Sequence, residues 1–122
     1  NLLPVQADAL RWVQQFARKS SIENCHLLSP NPYPKKSQAN KRFANMPIFK
    51  ELLKAMKPGA RLTFATNLKW LVDESKKQFI EFWDMELIAE ESLPFYHCPR
   101  TLFEKKYLNR GETCYNLVLE SN

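Results

Sequence analysis

The sequence predicts an α/β domain with a mostly parallel sheet and an antiparallel last strand. Apolar runs of strand length alternate with helical spacing through the first half, as crossover units do. Two strand-like segments then follow one another at the end with no helical pattern between them. The composition, 44% apolar and 25% charged over 122 residues, is that of a chain with a packed core.

Asn1 to Gln6 carries Leu2, Leu3 and Val5 and reads as the tail of a strand. Asp8 then caps a helix running to Lys19, with Ala9, Leu10, Val13, Phe16 and Ala17 along one face. Asn24 to Ser29 is a short buried strand that stops at Pro30. In Ser29-Pro30-Asn31-Pro32-Tyr33-Pro34-Lys35-Lys36, three prolines at alternate positions remove amide donors and hold the chain extended. Pro47 starts a second helix through Ile48, Phe49, Leu52, Leu53 and Met56, and Lys57-Pro58-Gly59 ends it.

Arg61 to Thr66 reads as a buried strand. Asn67 is positioned to cap a third helix to about Phe82, with Leu68, Leu71, Val72, Phe79 and Phe82 inward. Met85 to Glu91 alternates apolar and acidic residues, as an exposed strand does, and Thr113 to Glu120 forms the last strand. Ligands of such sheets bind beyond the carboxyl ends of the strands, where Asp8 and the proline-rich loop stand.

The net charge of +5 favours polyanionic partners such as RNA, or serves solubility alone. Three cysteines without close spacing argue against a disulfide framework and for a cytoplasmic setting. No apolar run approaches the ~20 residues of a membrane span, so no membrane partner is expected. Gly59 and Gly111, the two glycines, are too far apart for a glycine-rich phosphate loop. Cys25-His26 and His97-Cys98 do not make a metal site, because adjacent strand residues point to opposite faces. No nucleophile-elbow sequence accompanies the Ser, His and Asp residues.

Three motifs in order resemble the tRNA (guanine-N(7))-methyltransferase family. Gln6-Ala7-Asp8-Ala9 is similar to its strand ending in Gly-Asp-Ala, and Ser29 through Lys36 to its Phe-Pro-Asp-Pro-Trp-Pro-Lys-Lys. Pro99-Arg100-Thr101-Leu102-Phe103-Glu104-Lys105-Lys106 resembles its Thr-x-Phe-Glu segment. Lys57-Pro58-Gly59-Ala60-Arg61-Leu62 and Ala65-Thr66-Asn67 also match, the family usually having Ala-Thr-Asp at the latter. The resemblance covers nearly the whole chain.

It implies a Rossmann-like fold, S-adenosylmethionine as cofactor and a guanine of the tRNA variable loop as substrate. Asp8 would then accept from the adenine amino group, a role compatible with helix capping because the cap needs one oxygen. Thr101 and Glu104 would hold the guanine edge, and Lys35, Lys36, Lys41 and Arg42 would either meet phosphates or belong to a solvated loop. Tyr33 stands for the family's Trp and Asn67 for its Asp. Asn31 replaces the Asp that positions the target base. The N7 lone pair needs no deprotonation, so the site must supply alignment and electrostatic support. Asn31 still accepts through its amide oxygen but carries no charge, which predicts weakened chemistry.

The glycine-rich loop and the acid that grips the cofactor ribose would precede Asn1. The resemblance therefore implies one partial methyltransferase domain over residues 1–122, inactive in isolation. An open parallel sheet edge follows, covered either by a second copy in a homodimer or by Asn1 to Gln6. The alternative is a catalytically silent RNA-binding or oligomerisation module that keeps Lys35, Lys36, Lys105 and Lys106 as its RNA-facing surface.

Overall fold

The structure, a computed structural model, describes residues 2–94 and 96–122. These form a four-stranded sheet in the order β1-β2-β4-β3, built from β1 (Ile22–Leu28), β2 (Met56–Thr66), β3 (Glu86–Leu93) and β4 (Cys114–Glu120). β1 and β2 are parallel, while β4 runs antiparallel to both β2 and β3. The helices are α1 (Ala9–Gln15), α2 (Phe49–Ala55), α3 (Lys69–Lys77) and α4 (Leu102–Asn109). The predicted α/β class and antiparallel last strand are present, in a mixed sheet in which β1–β2 is the parallel pair and the pairings of β4 with β2 and β3 are antiparallel.

The core forms where α2 and α3 lie on β2. Phe49, Phe64, Phe79, Leu62, Leu117 and Leu119 are fully buried. Phe49 packs against Phe79 at 5.3 Å and Trp83 at 5.2 Å between ring centroids. The Trp83 indole, carried into this apolar cluster, donates to the Ala44 carbonyl at 2.7 Å and so leaves no buried donor unpaired.

Several elements differ from expectation. Asn1 lies outside the described residues, and residues 2–8 form no strand. Leu2, Leu3 and Val5 are 91%, 86% and 70% exposed, so this segment does not cover β1, whose outer edge has no partner strand among the described residues. α1 ends at Gln15, not Lys19, and buries no residue fully. Phe16, expected on its apolar face, is exposed.

Lys57-Pro58-Gly59 does not end a helix. α2 has already stopped at Ala55, and these residues lie inside β2. They form an irregularity there, since Ile22 pairs with Met56 but Asn24 with Arg61. Gly59 adopts φ +78, open to glycine without strain, and its N–H donates to the Ser121 carbonyl at 2.9 Å. Asn67 is not a helix cap: Leu68 holds that position, and its N–H donates to Thr66 Oγ1 at 3.3 Å. α3 passes at Gln78 into a π-helical turn ending at Phe82, which turns that ring outward instead of into the core. Finally, α4 separates the last two strands, where no helix was expected.

This topology gathers four segments at one rim. β1 and β2 end there at Leu28 and Thr66; β3 ends there at Leu93, and β4 begins there at Cys114. The proline-rich loop, Asn67, the 94–101 segment and the turn before β4 therefore share one end of the sheet.

Candidate functional site

The proline-rich loop lacks amide donors at Pro30, Pro32 and Pro34, so its shape depends on groups brought from outside it. Arg42 supplies them. Its Nε donates to the Tyr33 carbonyl at 3.1 Å, Nη2 to the Lys35 carbonyl at 3.4 Å, and Nη1 to Glu74 Oε1 at 2.7 Å. The guanidinium also lies over the Trp70 ring at 4.9 Å. Arg42 is 7% exposed, so the phosphate contact expected of it is not available; it braces the loop instead. Lys35, Lys36 and Lys41 are exposed, and Lys41 Nζ sits 5.9 Å from the Tyr33 ring centroid.

Within the loop, Asn31 Oδ1 accepts from the Tyr33 N–H at 3.2 Å, a local turn of the kind Asn favours. Tyr33 takes φ +43, a strained value for a non-glycine residue, held by the carbonyl contact from Arg42. Its ring is half-buried. Asn67 donates through Nδ2 to Glu112 Oε1 at 3.1 Å, tying the end of β2 to the turn before β4.

Across the rim, Thr101 caps α4, its Oγ1 accepting from the Glu104 N–H at 3.1 Å. Glu104 is 3% exposed. Its Oε1 accepts from the Arg100 backbone N–H at 3.1 Å and from Arg100 Nε at 3.2 Å, and its Oε2 from Arg100 Nη2 at 2.8 Å. Arg100 Nη1 continues to Asn116 Oδ1 at 2.9 Å. Burial alone pushes the Glu104 carboxyl up. The Arg100 hydrogen bonds and charge outweigh it, with a smaller contribution from His97, and hold it below the ordinary value. His97 Nε2 lies 3.2 Å from Oε1 but out of hydrogen-bond alignment.

Asp8 stands elsewhere, exposed at the start of α1. Its Oδ1 accepts from the Leu10 N–H at 3.0 Å and the Arg11 N–H at 3.5 Å, leaving Oδ2 for another donor. An apolar groove of about 570 Å³ adjoins it, lined by Ala7, Leu10 and Val13 on one side and Leu27, Phe43 and Phe49 on the other. Asp8 itself does not line that groove. The S-adenosylmethionine that the resemblance implies calls in addition for a glycine-rich loop, which these 122 residues do not contain.

Asn31, Tyr33, Lys35, Lys36, Asn67, Thr101 and Glu104 thus all lie on segments of one rim, while Asp8 stands apart, between the groove residues Ala7 and Ala9 but not itself lining the groove. Arg42, expected at a phosphate, is a brace of the loop instead, and Arg100 and Asn116 were missed as site residues. Their signal was faint: Arg100 and Glu104 stand at i and i+4, but nothing in the spacing shows that the pair is buried. Among the described residues no cluster of three or more His, Cys, Asp or Glu is placed to hold a metal, and no helix is long and apolar enough to cross a membrane.

A family model described as "Putative methyltransferase" matches residues 1–117. The chain is 29% identical to a tRNA (guanine-N(7)-)-methyltransferase of Bartonella quintana, over 87% of this chain and 47% of the relative. It is 34% identical to that of Hyphomonas neptunium, over 71% and 42%, and 27% identical to that of Burkholderia vietnamiensis, over 97% and 47%. The chain thus spans about half the length of these relatives. A solved antibiotic-related methyltransferase superposes with a TM-score of 0.55 at 14% identity, covering 84% of this chain and 52% of that one, which shows a shared fold. With the family model matched over residues 1–117 and a relative 34% identical over 71% of the chain, the chain belongs to this methyltransferase family.

Proposed function

We propose that this chain is the tRNA-facing part of an S-adenosylmethionine-dependent tRNA (guanine-N(7))-methyltransferase, and that it does not turn over in isolation. One observation carries the reading: the fold brings the proline-rich loop and the Thr101–Glu104 segment, far apart in sequence, to the same end of the sheet. The similarity to tRNA (guanine-N(7)-)-methyltransferases supports the choice of substrate.

S-adenosylmethionine supplies an electrophilic methyl group when bound. The residues of this chain act on the other reactant. Lys35 and Lys36 attract the RNA backbone, and Tyr33 offers a ring on which a base stacks. Glu104, kept ionised by Arg100, belongs to the wall that recognises the guanine edge. Asn31 aligns the base through its amide, and since N7 already carries a lone pair no proton has to leave it. Its neutral amide gives up about 1–2 kcal/mol against a charged acceptor, roughly tenfold in rate.

A second reading, an RNA-binding module without chemistry, rests on the exposed Lys35 and Lys36 beside the half-buried Tyr33. The two readings separate when the chain, unmodified tRNA and radiolabelled S-adenosylmethionine are combined, alone and with the glycine-rich half of a related methyltransferase. The proposal expects no transfer alone and N7-methylguanine once the glycine-rich half is supplied. Transfer by the chain alone would contradict its inactivity in isolation; none in either case leaves the binding module. The free β1 edge belongs to the same proposal, as a pairing site for another strand, here a second copy. Sedimentation velocity should then show a concentration-dependent dimer, and a strict monomer would contradict it.

A further inference from the structure

Arg100 has no role in the function described so far beyond holding Glu104, yet its guanidinium is not fully used. It carries five N–H donors in a fixed plane. Nε and Nη2 each give one to Glu104, and Nη1 gives one to Asn116. Among the described residues the two remaining N–H groups, one on each Nη, meet no acceptor. Glu104 and Asn116 are 3% and 5% exposed, whereas the Arg100 side chain is 29% exposed. The carboxylate and the amide therefore form a buried brace, and the Arg100 side chain is the member that reaches solvent.

The brace is aligned with the proline-rich loop. Asn116 pairs with Ala65 across β2 and β4. The Ala65 carbonyl in turn accepts at 2.8 Å from the N–H of Ser29, the first residue of that loop. Arg100 is thus fixed on the rung of the sheet from which the loop departs.

We infer that Arg100 is a specificity-determining residue that donates its two open N–H groups to the O6 carbonyl oxygen of the target guanine. The inference rests on the proposed function for the identity of the base. A carbonyl oxygen suits the site better than a phosphate. Glu104 neutralises the guanidinium, so a phosphate would find little net charge and a carboxylate beside it, whereas a neutral carbonyl needs only the donors. Adenine presents an amino group where guanine presents O6, so donors would face donors. Discrimination of about tenfold or more follows, since a guanidinium braced on two sides cannot turn away.

Arginine side-chain ¹H–¹⁵N spectra of the chain test this directly, with the Arg100 Nε–H resonance assigned from Arg100→Lys. Guanosine monophosphate, adenosine monophosphate and inorganic phosphate are added in turn. The expected result is a saturable shift of that resonance with guanosine monophosphate and none of comparable size with the other two. Asn116→Ala and Arg100→Lys should weaken guanosine monophosphate binding by about tenfold. Should Arg100→Lys fail to fold, Asn116→Ala gives the assignment by its perturbation of the same resonance, and the comparison of nucleotides in the unaltered chain still decides. Equal shifts with all three additives would mean an anion site and overturn the inference, as would no shift with any. A chain that still binds tRNA through Lys35 and Lys36 then keeps the proposed function and loses only this residue's role; one that binds neither loses both.

Discussion

Arg42 and Glu74 are 32 residues apart in sequence and meet at 2.7 Å, fastening the proline-rich loop to α3. Glu74 is 37% exposed while Arg42 is almost fully buried, so the pair is asymmetric. Its importance lies in the carbonyls of Tyr33 and Lys35, which the same guanidinium serves.

Arg42→Met should therefore destabilise the chain by about 1–3 kcal/mol, because two loop carbonyls and a charged partner lose their donor. Glu74→Gln should cost less, about 0–1 kcal/mol, as expected for a partly exposed ion pair. Denaturant unfolding checks both. Equal effects would show that the ion pair, and not the loop contacts, matters most.

Glu104 gives the structure a pH dependence of definite sign. Its carboxyl is held below the ordinary glutamate value of 4.5, so its contribution is complete above that pH. The contribution is lost as pH falls through the lowered value in the folded state. Unfolding curves of the unaltered chain and Glu104→Gln, compared between neutral and acid pH, should converge on acidification. Curves that stay parallel would contradict the Arg100–Glu104 bond.

The three thiols should differ in reactivity. Cys98 is exposed, whereas burial pushes the Cys25 and Cys114 thiols up, with Glu104 and Glu112 adding to the effect at Cys114. Iodoacetamide at neutral pH should alkylate Cys98 first, with Cys25 and Cys114 reacting only as the chain opens. Mass spectrometry of the timed products reads the order.

Much of this fold was legible because apolar spacing and burial coincide. Leu62 and Phe64 alternate in β2, and Leu71, Val72 and Phe79 all face inward as their spacing predicts. α4 was illegible because the coincidence fails there. Leu102 and Phe103 are 84% and 58% exposed, while the buried positions are Glu104 and Leu108. A helix that buries a carboxylate and exposes its aromatics shows no apolar stripe, and only the Thr-x-x-Glu spacing at Thr101 and Glu104 announces its start. Lys57-Pro58-Gly59 has the composition of a helix stop. The earlier end of α2 and the Gly59 bond to Ser121, 62 positions away, made it part of a strand instead. The candidate loop could be located from its prolines. The brace at Arg42 could not, since it depends on α3 reaching it from 32 residues on.

The central claim is that the loop rim meets tRNA. Fluorescence anisotropy of labelled, unmodified tRNA titrated with the chain at several salt concentrations tests it most directly. The account predicts saturable binding that weakens with salt. In the double variant Lys35→Ala, Lys36→Ala, the slope of log affinity against log salt should fall by about 1.5, from two lost phosphate contacts. Absence of binding, or binding with the same slope in the double variant, would contradict it.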